Sequence, residues 1–418
     1  MELTKQKYKQ TEVGLIPDDW KLVPFDTIFS FYSTSNYSKA QMSEDDEVGC
    51  IHYGLIHAIK NTKYDLKHGI KYYVTSEQAK CEFVRDGDVI MVDASEDLEG
   101  VNKSVEVFGV GNNKYIPGLH TYLLRDKKSL LADNFRGMVL NSQSVKNQML
   151  KLAVGMKVFG VSKTQLINIK IALPPTLAEQ KAIATALSDV DELISNLDQL
   201  ITKKKAIKQG AMQQLLTPPD KGGKRLEGFS GEWVEKTVGD IVEYKNGAAH
   251  ENCVVENGEY IIVNSKFVST EGRVAKHSNK NLCPVNKNEI LMVLSDIPNG
   301  KAIAKCYYVE ENNKYTLNQR ICSFKTEKSD SKFLFLLLNR NPYYLQFDDG
   351  VKQTNLRNED VLSCPLTLSP TIEEQKQISK IIFDLDKDIK NSLVKRKKYQ
   401  DIKQGMMQEL LTGKTRLV

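Results

Sequence analysis

Residues 173–217 and 368–412 are one 45-residue sequence written twice: at a constant shift of 195, without a gap, 21 of the 45 positions are identical, where chance would give roughly three. A chain that repeats itself in this way folds as two copies of one module. The starts of the copies correspond as well, since the only tryptophans, Trp20 and Trp233, each stand eight residues before an isoleucine, Ile28 and Ile241. The centres match loosely: RDGDVIMV (85–92) resembles NKNEILMV (286–293), and Asn113-Lys114-Tyr115 echoes Asn313-Lys314-Tyr315. The frame repeats while the loop-rich middle diverges, as expected of one scaffold carrying two different binding surfaces.

The repeated part reads as a long helix. Pro174-Pro175-Thr176 and Ser369-Pro370-Thr371 supply proline near the first turn and a hydroxyl cap, with Glu179 and Glu374 three residues later as capping-box partners. Ile183, Leu187, Val190, Ile194, Leu197 and Ile201 then step by four and three, a heptad seam. Ile378, Ile382, Leu385 and Ile389 continue the same register in the second copy, which breaks it with Ser392 and Arg396. Each helix of about 40 residues would run roughly 60 Å, longer than a domain, so it must project or pair. Acids precede bases in both: Asp189, Asp191 and Asp198 before Lys203–Lys205 and Lys208, and Asp384, Asp386 and Asp388 before Lys395–Lys398 and Lys403. That polarity suits the helix macrodipole and favours antiparallel pairing, acidic front against basic back; the alternative is that these runs are solvated faces. Gly210 and Gly405 recur in KQG, which suggests a close backbone approach, a hinge or a kink.

Composition removes several classes. Apolar residues make up 41% and charged residues 27% of the 418, the balance of a globular chain. The longest apolar run, residues 333–338, is far short of a membrane span, and the N-terminus MELTKQKYKQ has no signal-peptide core; the expected location is the cytoplasm. Seven cysteines without a Cys-x-x-Cys pair argue against a disulfide framework or a zinc site, and His250-x-x-Cys253 is a lone two-ligand fragment. A net charge of +5 is compatible with nucleic acid without requiring it.

The phrases LPPTLAEQKAIATALSDVD with KKKAIKQGAMQQLLT, and LSPTIEEQKQISKIIFDLD with IKQGMMQELLT, resemble the conserved helices of Type I restriction-modification specificity subunits. YGLIHAIKNTKYD, DGDVIMVDASEDLEGVNKS and GLHTYLLR resemble one target-recognition domain of that family, and YIIVNSKFVSTEGRV, VLSDIPNGKAIAKCYYV and LNQRICSFK another. The resemblance implies an α+β chain: two α/β target-recognition domains separated by two long helices pairing as an antiparallel coiled coil, in a pseudo-two-fold tandem repeat. The corresponding boundaries are 1–172 for the first domain, 173–217 for the first helix, 218–231 for a linker, 232–367 for the second domain, and 368–418 for the second helix and tail. It further implies double-stranded DNA as ligand, each domain reading half of a bipartite site and the helices setting the gap. Two modification (methyltransferase) subunits would bind along the helices, joined by restriction (motor-nuclease) subunits. No cofactor and no metal are expected.

Bases are read by Arg or Lys at guanine and by Asn or Gln at adenine, while phosphates take Lys, Arg and small polar groups. On that chemistry the candidates are Ser35, Asn36, Lys39, His57, Lys63, Asn102, Lys103 and His120 in the first domain. In the second they are Asn246, His250, Asn264, Lys266, Asn299, Lys301, Gln319 and Arg320, the pair Gln319-Arg320 suiting an A and a G.

Two alternatives remain at this level, a stand-alone adenine methyltransferase and a coiled-coil scaffold without DNA function. Asn341-Pro342-Tyr343-Tyr344 approximates a methyltransferase motif, but Pro342 is placed as a first helical residue and the other half lacks the motif. Phe108-Gly109-Val110-Gly111 reads as a hairpin turn, and Asp86/Asp88 as a turn before a strand.

Overall fold

Two strands, Val89–Val92 and Ile290–Val293, are buried along their whole length, and their side chains show why each domain has two cores. Successive strand residues point to opposite faces. Val89 and Met91 therefore enter one apolar cluster and Ile90 and Val92 another. Likewise Ile290 and Met292 part from Leu291 and Val293. The computed structural model describes residues 7–97, 100–153, 159–298 and 300–417. It divides into unit 1, Met1–Gln199 with Leu393–Val418, and unit 2, Leu200–Ser392.

In unit 1 a five-stranded sheet runs Phe29–Tyr32, Thr121–Asp126, Val89–Val92, Ser104–Phe108, Lys63–Asp65. A smaller sheet sets Lys114–Pro117 parallel to Val48–Ile51, with Tyr73–Val74 on its other side. Unit 2 repeats the plan: Glu243–Asn246, Ile321–Lys325, Ile290–Val293, Cys306–Tyr308 in one sheet, and Tyr315–Leu317 parallel to Tyr260–Val263 in the other. The duplication is thus present in the centres, where the sequences had matched only loosely. Each domain is closed at its root by an antiparallel pair, Lys21–Pro24 with Lys170–Leu173 and Val234–Thr237 with Pro365–Leu368. Trp20 and Trp233 stand directly before these strands, fully buried and half-buried respectively.

The long helices span Leu177–Leu215 and Ile372–Leu410, 39 residues each. Thr176 Oγ1 accepts from the Glu179 amide at 3.2 Å and Thr371 Oγ1 from the Glu374 amide at 3.3 Å. The expected reciprocal half of the capping box is replaced by a longer-range contact. Glu179 pairs with Arg416, whose Nη2 donates at 2.7 Å, and Glu374 with Arg225 at 2.8 Å. Both carboxylates are buried, and an arginine is the partner that can satisfy a buried carboxylate with several donors.

Antiparallel pairing is visible inside each unit. In unit 1 Lys403 meets Asp191 at 2.6 Å and, one heptad on, Arg396 meets Asp198 at 2.8 Å. In unit 2 Lys208 meets Asp386 at 2.6 Å, and Lys204 donates to Ser392 Oγ at 3.2 Å. The break in the second seam is therefore an exchange of apolar contact for polar contact across the pair. Leu197, Ile201 and Ile389 are buried, while Val190, Ile194 and Leu385 are half-buried. Ile183 and Leu187 at one helix start, and Ile378 and Ile382 at the other, pack into the domain cores.

The helix ends serve the domains too. Met406, Met407, Leu410 and Leu411 pack in the unit 1 core, and Met212, Leu215 and Leu216 in that of unit 2. Residues 218–231, expected as a linker, are built in: Arg225 donates to Glu374 and to Ser230 O at 2.8 Å, and Leu226 joins the core. Gly210 and Gly405 lie in unbroken helix, and a Cβ added to either meets nothing within 4 Å. Close backbone approach is therefore not their role. Gly210→Ala and Gly405→Ala are each expected to stabilise the free chain by about 1 kcal/mol, seen as a higher denaturation midpoint.

Candidate nucleic-acid interface

The same local device appears in both units. A strand of the smaller sheet ends, one residue caps a short helix, and the loop leaving the parallel neighbour crosses beside it. In unit 1 His52 caps Tyr53–Ala58, its Nδ1 accepting from the Gly54 amide at 3.0 Å. In unit 2 Asn264 caps Ser265–Ser269, its Oδ1 accepting from the Phe267 amide at 2.9 Å. The loops are residues 118–120 and 318–320, tied by Gly118 N to Ile51 O at 2.8 Å and Asn318 N to Val263 O at 3.1 Å. A lysine staples each short helix from below. Lys103 donates to His57 O at 2.9 Å and also to Ile59 O, and Lys305 donates to Ser269 O at 3.0 Å.

In unit 2 this device walls two adjoining grooves of about 410 and 420 Å³ that share Ser265, Lys266 and Arg320. Lys301 lines the first; Lys276, Glu251 and Gln319 line the second. Lys266, Lys276, Lys301 and Arg320 are exposed, and their side chains make no hydrogen bond or ion pair among the described residues. Four cations held at one concave surface without internal partners have the charge pattern that receives phosphate and base edges.

Unit 1 holds different chemistry at the same places. Tyr53, 40% exposed, has its ring 5.6, 6.1 and 5.5 Å from those of His52, His57 and His120. His120 occupies the loop position that Arg320 holds in unit 2, and its Nδ1 lies 3.3 Å from Asp93 Oδ1. Lys39 lies over the Tyr72 ring at 5.4 Å, and that ring is 5.0 Å from His52. Burial, then the charge of Lys39, holds the His52 imidazole below its ordinary value near 6.5. His57 is likewise lowered, by burial first and then by Lys103. A histidine depressed in the folded state is protonated more readily by the unfolded chain, so its contribution is present above about pH 6.5 and lost as pH falls below it. Unit 1 is accordingly expected to lose stability in thermal denaturation between about pH 7 and about pH 5.5. His52→Asn, the capping residue of unit 2, is expected to flatten that dependence.

Several sequence candidates turn out to be engaged within the fold. His250 is buried with both ring nitrogens used, on Ala248 O at 2.7 Å and Thr316 Oγ1 at 2.8 Å, which leaves it no lone pair for a metal beside Cys253. Ser35 is buried, its Oγ 3.6 Å from Cys50 Sγ, and Asn102 is buried at φ +62°. Asn246 accepts from Tyr244 Oη at 2.7 Å and donates to Asn358 Oδ1 at 3.2 Å. Asn36 is exposed, and Lys63 lies on an edge strand over Phe108 at 4.5 Å. Asn299 lies outside the described residues. Tyr53, Ser265, Lys276 and Glu251 were not among the candidates. The strand-to-helix junctions at His52 and Asn264 point to Tyr53 and Ser265, the first residues of those helices; nothing local marks Lys276 or Glu251.

The motifs that suggested catalysis have structural explanations. Asn341 caps Pro342–Leu345, accepting from the Tyr343 amide at 2.9 Å. Asp88 is held bidentately by Arg125 at 2.8 Å, and Asp86 accepts from the Val110 amide at 2.9 Å. Gly109 and Gly111 do turn with positive φ. However, the strands they join, Ser104–Phe108 and Lys114–Pro117, belong to different sheets, so the turn is not a hairpin.

Two units of one α/β plan, each rooted on a long helix and each presenting a different loop surface, define a duplicated recognition protein. Residues 17–209 and 230–404 match the Type I restriction modification DNA specificity domain. The chain belongs to this family, as a specificity subunit rather than a catalytic one. It is 26% identical over 437 residues to the type I restriction enzyme MjaVIII specificity subunit of Methanocaldococcus jannaschii, covering 99% of this chain and 97% of that protein. Its fold is similar to the S subunit of a Type I system from M. genitalium, with TM-score 0.60 and 16% identity over 94% of this chain and 96% of that one. A chain from a structure of the type I R-M system gives TM-score 0.58 and 13% identity over 96% and 99%. Membership implies DNA binding and association with other subunits. Among the described residues no helix is long and apolar enough to cross a membrane.

Proposed function

We propose that each unit reads one half of a split, asymmetric DNA sequence, unit 2 through Gln319 and Arg320, with Lys266 and Lys301 holding phosphates beside them, and unit 1 through the surface around Tyr53, His57 and His120. The observation that carries this is positional: one scaffold places the same helix start and the same loop in both units, and fills them with arginine and lysine in one and with tyrosine and imidazole in the other. Different donors at equivalent places discriminate different bases. Two modification subunits dock along the paired helices, motor-nuclease subunits join through them, and the helices set the gap between half-sites.

Mapping methylated sites in DNA from cells carrying the whole system tests this. Gln319→Leu with Arg320→His, the residues of the unit 1 loop, is expected to change one half-site and leave the other intact. Removing one heptad from each helix is expected to change the tolerated gap and neither half-site. A change in both half-sites after the loop exchange would refute the division of labour.

A further inference from the structure

We propose that Glu251 is a specificity-determining residue of unit 2: it holds the Gln319 amide in one orientation, and that orientation matches adenine. The inference rests on the reading that unit 2's grooves take DNA.

The groove that contains Gln319 carries Lys266, Lys276 and Arg320, and among its described lining residues Glu251 is the one carboxylate. A groove built only to grip phosphate gains nothing from a negative charge there, since the carboxylate repels the anion that the cations attract. The backbone leading into Glu251 is anchored, while its side chain is exposed. Glu251 follows His250, which both ring nitrogens fix to Ala248 and Thr316, and it opens the short helix Glu251–Cys253. Its Oε1 accepts from Gln319 Nε2 at 2.9 Å.

The consequence follows from the amide. A free glutamine side chain can turn over and exchange its carbonyl and its NH2, so it offers either edge to a ligand. A carboxylate only accepts. Turning the Gln319 amide over would place carbonyl oxygen against carboxylate oxygen, two acceptors with no proton between them. Glu251 therefore keeps the nitrogen on its own side and leaves one N–H and the carbonyl for the ligand. One donor beside one acceptor complements N7 and the N6 amino group of adenine in the major groove. Arg320, the next residue, presents donors only, the complement of guanine. The loop of unit 1 has Leu119 and His120 at these positions, so the device belongs to unit 2 alone.

The test uses the full chain assembled with its modification subunit and a random-sequence duplex library, with the bound fraction sequenced. The wild-type complex is expected to prefer adenine at one base pair of the half-site that unit 2 reads. Glu251→Gln, isosteric and able to tolerate either amide orientation, and Glu251→Ala should each lower that preference roughly tenfold, leaving every other position unchanged. Gln319→Ala should lose the same preference, and the double variant should lose no more than the single ones. Preference retained in both Glu251 variants, with all sequences bound equally better or worse, would show that the carboxylate acts only through its charge and would overturn the proposal. A preferred base other than adenine at the Gln319-dependent position would also overturn it. Arg320→Ala separates the two levels. If it leaves that half-site unchanged, the reading of unit 2 as a DNA reader fails; if it alters the half-site while the Glu251 variants do not, only the Glu251 proposal falls.

Discussion

Arg416→Ala is expected to destabilise unit 1 by about 3 kcal/mol. Its guanidinium joins Glu179, whose side chain is 1% exposed, to Asp19, which accepts at 3.0 Å from both Nη atoms. Removing it leaves the Glu179 carboxylate desolvated and without its cation, and breaking a buried pair from one side costs far more than the pair itself contributes. The outer part of the guanidinium reaches solvent, which places the effect at the lower end of the usual range. Arg225→Ala should do the same to unit 2 through Glu374. Each unit holds one tryptophan, Trp20 or Trp233, so denaturation of Trp233→Phe and Trp20→Phe backgrounds reports the units separately. Adding Glu179→Gln to Arg416→Ala should recover much of the loss. If the double variant is as unstable as the single one, the buried charge is not the cause.

Lys266→Ala combined with Lys301→Ala is expected to weaken DNA binding on the order of a hundredfold at moderate salt and to change its salt dependence. Each phosphate neutralised contributes a slope of about 0.9 in log affinity against log salt, so two lost contacts should flatten the slope by about 1.8. Both lysines are exposed at the groove walls, and neither is spent on another group of the described structure. Sequence preference should survive, because phosphate contacts position the duplex without reading it. Lys103→Ala is the instructive contrast. That ammonium is committed to His57 O and Ile59 O, so its loss should loosen the end of helix Tyr53–Ala58 and lower the stability of unit 1. An unchanged salt slope in the Lys266/Lys301 variant would mean that phosphates lie elsewhere.

The contrast between Lys266 and Lys103 shows where the sequence stops being informative. Both are lysines in the diverged centres, and both fit the chemistry of a DNA contact. Nothing local distinguishes them, because the partners that occupy Lys103 lie 46 and 44 residues away in the chain. His250 is the same case, since Thr316 is 66 residues distant. Glu251 is silent in the sequence for the opposite reason: a carboxylate carries no signal for DNA until Gln319 is seen against it.

The duplication, the two long helices, their capping threonines and their acid-to-base polarity were all determined by the sequence alone. These depend on period and near neighbours, and i to i+3, i+4 and i+7 relations survive being read along one line. Tertiary structure decided three other things. It assigned the two capping glutamates to arginines far away in sequence, Arg416 and Arg225. It showed that the diverged centres share one sheet order. And it sorted the basic residues into those that hold backbone carbonyls and those that face open grooves. The physical reason is common to all three: a partner, whether a charge within about 3 Å or a strand to pair with, is met wherever the fold brings it, and its position in the chain is unrelated to its position in space.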